Sequence, residues 1–150
     1  MTRVRAATST DFEQVHRLYT QFGSPIPIPV GELGQQAWDK LIDHAGTTVC
    51  CVERSLQVIS LATLHILPNM TYGARSYAFI ENVITTADEQ RKGIGSMLLN
   101  AVIAAAWDAD CYKVMLLTNQ SNGAREFYRK VGFSSEQKHA MTMRRAPNRS

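Results

Sequence analysis

Residues 77–107 contain the pattern that most constrains the fold of this chain. Residues 77–85, YAFIENVIT, are rich in β-branched and apolar side chains and predict a strand. Residues 94–107 repeat apolar side chains at intervals of three and four, which predicts a helix with a buried face through Ile94, Met97, Leu98, Ala101, Val102 and Ala105. The two elements are joined by the glycine loop QRKGIG, residues 90–95. A strand that is followed by a loop and a helix in this way is a unit of layered α/β architecture.

The glycine loop itself has two interpretations. Unpaired N–H groups at a helix start attract anions, glycines let a phosphate approach the backbone, and Arg91 and Lys92 add positive charge. The alternative is a turn that starts an ordinary helix. A Walker loop is excluded because the lysine precedes the glycines, and a Rossmann fingerprint is excluded because Leu98 occupies the third glycine position.

Propensity and spacing predict the order β-α-α-β-β-β-α-β-α-β, a mixed α/β single domain over residues 1–150. Thr10 and Glu13 have the spacing of a capping box for the first helix. Residues 24–34, SPIPIPVGELG, predict an extended loop, which either covers a binding cleft or is a stiff connector. The other predicted strands are 4–6, 47–53, 56–66, 113–118 (buried) and a last one near 139–145; the remaining helices are centred on 33–45 and 122–130.

Composition narrows the class of protein. The sequence has 150 residues, 45% of them apolar, and a net charge of +3, which favours anionic ligands without indicating nucleic acid. No apolar run approaches the ~20 residues of a membrane helix, and residues 1–15 lack a signal-peptide core, so we expect a cytoplasmic protein. Cys50, Cys51 and Cys111 have neither disulfide nor zinc spacing and are expected to be small buried residues. His16, His44, His65 and His139 show no metal-ligand spacing, although His65 is placed on a strand that can face the cleft.

A second motif lies downstream in residues 122–133, NGAREFYRKVGF. Together with the glycine loop it makes the chain resemble the GCN5-related N-acetyltransferase (GNAT) superfamily. The acetyl-CoA signature of that superfamily is Gln or Arg, two residues, Gly, one residue, then Gly or Ala, and Gln90, Gly93 and Gly95 fill it. The resemblance implies a mostly antiparallel central sheet flanked by about four helices.

The resemblance also implies where acetyl-CoA binds. Its pyrophosphate is expected on the loop amides, and its pantetheine arm along the backbone of the preceding strand, with Asn119 contacting that arm. Members often carry Asn where this chain has Ser121, beside Asn122, so we assign a contact to neither. The implied cofactor-binding residues are Val83, Ile84, Thr85, Gln90, Arg91, Lys92, Gly93, Ile94, Gly95, Ser96 and Asn119.

Two side chains are implied to be catalytic. Tyr128 corresponds to the tyrosine that often protonates the leaving thiolate of CoA; the alternative is a core aromatic residue. Glu81, on the strand before the loop, is expected to deprotonate the amine directly or through water, with a structural or substrate-binding carboxylate as the alternative. Alternation places Glu81 on the side of Phe79 and Val83. The backbone N–H near Val83 is expected to polarise the thioester carbonyl.

The predicted function is therefore transfer of an acetyl group from acetyl-CoA to a primary amine by direct attack in a ternary complex. The alternative is a catalytically inactive acyl-CoA-binding or sensing module of the same fold. The acceptor is expected to be a small-molecule or peptide amine, with no metal, no nucleic acid and no membrane as partners. A homodimer is compatible with the resemblance, because members are frequently dimeric.

Overall fold

A five-stranded sheet occupies the unit formed by Met1–Leu116. The computed structural model describes residues 1–120 and 123–145. The strands β1 to β4 form consecutive antiparallel pairs, and β4 pairs with β5 in parallel. The predicted mixed, mostly antiparallel sheet is confirmed. In chain order, which is also the order across the sheet, the strands are β1 (Thr2–Ala6), β2 (Thr47–Arg54), β3 (Gln57–Leu67), β4 (Tyr77–Thr85) and β5 (Val114–Leu116).

The helices of the described residues agree with the predicted number. Four are regular: α1 (Phe12–Phe22), α2 (Gly31–Ile42), α4 (Ile94–Asp108) and α5 (Ala124–Val131). A single turn, α3 (Thr71–Ala74), lies in the predicted polar turn before β4. The last helix, α5, belongs to a second compact unit, Leu117–Ser150. None of the helices in the described ranges has the length and apolarity that a membrane span requires.

The core explains why the sheet forms. Residues 58–64 of β3 are buried without alternation, which is the pattern of a strand covered on both faces. Helix α4 packs against β2, β3 and β4 with Leu98, Leu99 and Val102 fully buried. Burial of each such side chain stabilises the fold by roughly 1.5–3 kcal/mol. A second cluster joins α1 and α2 to the sheet and consists of Phe12, Val15, Leu18, Trp38, Val49, Cys51, Val58, Leu61 and Ile84.

Three predictions about individual elements are wrong. Residues 139–145 form no strand; Met141 and Met143 in that segment are almost fully exposed. The buried strand predicted over 113–118 is a half-buried strand of three residues, because it lies at the edge of the sheet. The buried face of α4 includes Leu99 and Ala106 rather than Met97, which is exposed.

The start of the first helix also differs from the prediction. A 3-10 turn, Ser9–Asp11, precedes α1, and the backbone N–H of Thr8 donates to Asp11 Oδ2 at 2.7 Å. Thr8 and Asp11 therefore form the cap that was predicted for Thr10 and Glu13. The buried Asp11 carboxylate also accepts two hydrogen bonds from Arg5, each 2.8 Å long. These bonds lower the pKa of Asp11 to about 2.

Acid should weaken the fold through Asp11. Because its pKa is lower in the folded chain than in the unfolded chain, Asp11 stabilises the fold above about pH 4, and that contribution disappears as the pH falls towards 2. The shift corresponds to about 2 kcal/mol of unfolding free energy. Denaturant unfolding at several pH values between 6 and 2 measures it.

Asp11→Asn should flatten that pH dependence, since an amide does not titrate. Asp108→Asn serves as the control because Asp108 is exposed at the end of α4. Equal pH dependence in the wild type and the Asp11→Asn variant would contradict the prediction.

Candidate functional site

The loop between β4 and α4 presents unpaired backbone donors. Gly93 adopts the left-handed conformation, with φ at 81°, and α4 begins at the next residue. The N–H of Met97 is the first to bond back into the helix, donating to the carbonyl of Gly93 at 3.0 Å. Within the described ranges, the N–H groups of Ile94, Gly95 and Ser96 have no protein acceptor. They carry the partial positive charge of a fifteen-residue helix.

Open space lies beside Gly93, the residue just before these donors. A Cβ added at Gly93 would meet no heavy atom within 4 Å, so the side of the loop at this glycine is free for a ligand. Arg91, which also has a positive φ of 59°, and Lys92 are exposed beside it. An ion pair ties the start of this loop to β2. Arg54 Nη1, at the end of β2, lies 2.8 Å from Glu89 Oε2 in the 3-10 turn that precedes the loop. No local sequence pattern indicates this role for Arg54, because its partner Glu89 is 35 residues away.

The second half of β4 has a free edge. The parallel pairing with β5 ends at Ile80 and Leu116, whereas the pairing of β4 with β3 continues to Thr85. Over the described residues, no strand of the sheet pairs with Glu81–Thr85 on the side away from β3. Backbone groups at such an edge are available to an extended ligand that carries amides.

A β-bulge interrupts the alternation of β4 beside Glu81. Thr63 pairs with Glu81 and Leu61 pairs with Ile84, so Asn82 and Val83 together oppose one residue of β3. Asn82 has a positive φ of 53°, which produces the bulge. Since Leu61 and Thr63 share a face, Glu81 lies on the face of Ile84. The predicted placement of Glu81 on the side of Val83 is therefore wrong, while the placement with Phe79 agrees with the pairing. Glu81 is exposed.

The end of β4 is held by side chains. Ser60 Oγ, which is fully buried, donates to the carbonyl of Ile84 at 2.8 Å and lies 2.8 Å from Thr85 Oγ1. Gln90 Nε2 donates to the carbonyl of Thr85 at 3.2 Å. The first residue of the glycine signature thus connects the loop back to the strand.

Tyr128 lies on α5, in the unit Leu117–Ser150, and is half-buried. Its ring contacts Phe127, with centroids 5.1 Å apart, and meets Phe133 edge-to-face at 6.1 Å. The N–H groups of Gly132 and Phe133 donate to the Tyr128 carbonyl at 3.2 and 3.1 Å, which ends the helix there. Burial raises the pKa of the Tyr128 hydroxyl above its ordinary value of 10.0.

The comparison with known families decides the class of protein. A profile described as the acetyltransferase (GNAT) family matches residues 12–133. The chain belongs to the acetyltransferase (GNAT) family. The resemblance drawn from the two motifs is confirmed, and the prediction of an N-acetyltransferase is confirmed at the level of the family. The match contains the glycine loop, Glu81, Asn119 and Tyr128.

Individual relatives of this GNAT protein carry related names. Two curated proteins are named glucosamine 6-phosphate N-acetyltransferase. The protein from Trypanosoma brucei brucei is 29% identical, and the match covers 61% of this chain and 61% of that protein. The protein from Schizosaccharomyces pombe is 38% identical, and the match covers 61% of this chain and 82% of that protein. A solved candidate acetyltransferase from Agrobacterium tumefaciens strain C58 is 33% identical, with a TM-score of 0.88 and coverage of 95% of this chain and 99% of that one.

The predicted site residues of this GNAT chain fall into two groups. Glu81, Val83–Thr85 and Gln90–Ser96 lie on one continuous β4–loop–α4 segment of the unit Met1–Leu116. Asn119, which is exposed, and Tyr128 lie in the other unit. Ser121 and Asn122 lie outside the described residues.

Among the described residues, three of the four histidines contact neighbouring side chains. Thr47 Oγ1 lies 2.9 Å from Nδ1 of both His44 and His65, so one hydroxyl joins the two rings. His16 packs edge-to-face on Phe12. Over the described ranges, no group of three or more His, Cys, Asp or Glu side chains is placed to hold a metal ion.

Proposed function

We propose that this GNAT protein transfers an acetyl group from acetyl-CoA to a primary amine by direct attack in a ternary complex. The unpaired amides of Ile94, Gly95 and Ser96, open to a ligand beside Gly93, are the observation that carries the proposal. Helix N-termini bind phosphate through such donors and through the helix dipole. Arg91 and Lys92 add charge that suits a pyrophosphate.

The free edge of β4 fits the amide-containing arm of acetyl-CoA. The N–H of Thr86 bonds to Ile59 on β3, so the N–H of Thr85 points to the free edge by the alternation of an antiparallel ladder. The Thr85 carbonyl already accepts from Gln90, which leaves its N–H as the better group for the arm. Backbone groups of Val83 and Ile84 and the side chain of Asn119 complete the proposed contacts.

Acetyl-CoA, when bound, supplies an acetyl thioester to the site. Glu81, or a water that it orients, takes the proton from the amine. The N–H of Val83, which lies at the bulge of β4, stabilises the oxyanion in this proposal. Tyr128, whose pKa burial raises above the ordinary 10.0, holds its hydroxyl proton at neutral pH and donates it to the departing sulfur.

The cysteines support direct attack rather than an acyl-enzyme route. Cys50, Cys51 and Cys111 are free and buried, as expected. Burial raises the pKa of all three thiols, that of Cys51 to about 11. A buried protonated thiol is a poor nucleophile.

We propose glucosamine 6-phosphate as the first acceptor to test. The two relatives that bear this name match 61% of the chain, so the choice rests on their names and on the need for a small amine. Other small-molecule and peptide amines are the next acceptors in the screen. A homodimer stays a prediction from the family.

Thermal unfolding with and without acetyl-CoA tests the proposed cofactor site. A ligand at about 100 times its dissociation constant adds about 2.7 kcal/mol to the unfolding free energy. We therefore expect acetyl-CoA to raise the midpoint by roughly 5–10 °C. Absence of a shift at saturating acetyl-CoA would contradict the proposed function.

Replacing Gly93 by Val should abolish the shift, because the new side chain fills the space beside the donors. Gly73→Val is the matched control. Gly73 also has a positive φ and open space at its Cβ, but it lies before β4, whereas Gly93 lies after it. Both variants suffer backbone strain, so both lose stability; only the Gly93 variant should lose the response to acetyl-CoA.

A further inference from the structure

Helix α1 carries two glutamines that hold backbone segments in the same way. Gln14 and Gln21 are seven residues apart, which is two helical turns, so they lie on one face of α1. Each side-chain amide donates to one backbone carbonyl and accepts from the N–H two residues further along the chain. This is the bonding that a neighbouring strand would supply.

Gln21 applies this arrangement to the start of the glycine loop. Its Nε2 donates to the carbonyl of Thr85 at 3.0 Å, and its Oε1 accepts from the N–H of Ala87 at 3.2 Å. Thr85 is the last residue of β4, and Ala87 begins the 3-10 turn that leads to Gln90. The amide of Gln21 therefore joins the end of β4 to the first residue of the turn and leaves the N–H of Thr85 unused.

Gln14 applies the same arrangement to the hairpin between β2 and β3. Its Oε1 accepts from the N–H of Val58 at 2.8 Å, and its Nε2 donates to the carbonyl of Leu56 at 3.4 Å. This hairpin contains none of the proposed cofactor contacts. Gln14 is therefore an internal control for the structural contribution of such an amide.

The carbonyl of Thr85 receives two side-chain donors, Gln21 at 3.0 Å and Gln90 at 3.2 Å. A carbonyl has two lone pairs, so both are used within the protein. The strand end is thereby held from α1 and from the loop at once. Losing the Gln21 bonds leaves Gln90 as the remaining side-chain donor to this carbonyl in the described residues and frees the N–H of Ala87.

We infer that Gln21 is a positioning residue for acyl-CoA. It fixes the end of β4 and the first turn of the loop relative to each other, so that the edge of β4 and the amides of Ile94–Ser96 receive one ligand together. The inference rests on the proposed function, because it takes the loop as the acetyl-CoA site. Gln21 is inferred to act through the backbone of Thr85 and Ala87 and not on the reacting groups.

The test compares Gln21→Met with Gln14→Met, since methionine has a similar length and makes neither bond. Titration calorimetry with acetyl-CoA, on the whole chain, gives the dissociation constant of each. We expect Gln21→Met to raise that constant about tenfold and Gln14→Met to leave it within about twofold of the wild type. Both variants should show similar decreases in thermal midpoint.

Steady-state kinetics gives a second readout. Gln21→Met should raise KM for acetyl-CoA and leave kcat at saturation within about twofold, because a positioning residue on the cofactor side does not alter the reacting groups. Gln21→Glu should weaken acetyl-CoA binding in the same direction. It keeps an acceptor for the N–H of Ala87 but loses the donor to the Thr85 carbonyl.

The outcomes separate the inference from the proposed function. If the wild type binds acetyl-CoA and the Gln21 variants bind it as tightly as Gln14→Met does, the inference is overturned and the proposed function stands. If the wild type fails to bind acetyl-CoA, the proposed function fails before any variant is compared. Equal weakening by the Gln21 and Gln14 variants would assign both side chains a structural role only and would also overturn the inference.

Discussion

We expect Glu81→Gln to lower kcat about 100-fold, since general base catalysis typically contributes at least that factor. The carboxylate accepts the proton of the attacking amine or orients the water that does so, and an amide of the same shape performs neither role. Glu81 is exposed and pairs with Thr63 across the sheet, so the substitution removes no buried contact. The thermal midpoint and the dissociation constant for acetyl-CoA should therefore stay near the wild-type values.

The pH dependence adds a test of the base. Because the fraction of unprotonated amine rises with pH, the deficit of Glu81→Gln should narrow as the pH increases. Glu13→Gln is the matched control, since Glu13 is an exposed carboxylate on α1. A kcat within twofold of the wild type would contradict the proposed role of Glu81. Acetyl-CoA binding without turnover in the wild type would instead favour the binding-module alternative.

The central part of the fold could be predicted because its signals are local. Strand 77–85 has the predicted bounds, and α4 extends one residue past its predicted end. Propensity, apolar spacing and a left-handed glycine all act within a few residues. The glycine loop also contains its own helix start, so its unpaired donors follow from the same short segment.

The bulge in β4 could not be predicted from β4 alone. Whether Val83 shares a face with Glu81 depends on a register shift against Leu61 and Thr63, which lie about 20 residues earlier in the sequence. Asn82 is a residue type that tolerates a positive φ, but the type does not require one. The strand of Glu81 is therefore predicted correctly from the sequence, but Val83 is wrongly predicted to lie on the same face of the sheet as Glu81.

Pairing over long separations explains the remaining differences. Gln21 bonds residues 64 and 66 positions away, and no local pattern around it indicates such partners. In residues 139–145, by contrast, a local pattern indicates a strand that does not form. Their alternation resembles a strand, but a strand forms only where a partner supplies hydrogen bonds, and the described residues supply none there.

Tyr128→Phe should lower kcat about 100-fold without unfolding the chain, because it removes one hydroxyl that is proposed to protonate the leaving sulfur. The ring contacts with Phe127 and Phe133 do not involve the hydroxyl, so phenylalanine retains them. The dissociation constant for acetyl-CoA and the thermal midpoint should change little.

The sign of the pKa shift makes this prediction sharper. Since burial raises the pKa of Tyr128 above 10.0, the hydroxyl keeps its proton throughout the neutral range, and kcat of the wild type should fall only at a more alkaline pH than an ordinary tyrosine would give. That alkaline decrease should be absent in Tyr128→Phe.

Tyr112→Phe is the control, because Tyr112 stacks on Tyr72 just before β5 and has no proposed role. If Tyr128→Phe keeps both the wild-type kcat and the alkaline decrease, another group protonates the thiolate and Tyr128 is an aromatic packing residue.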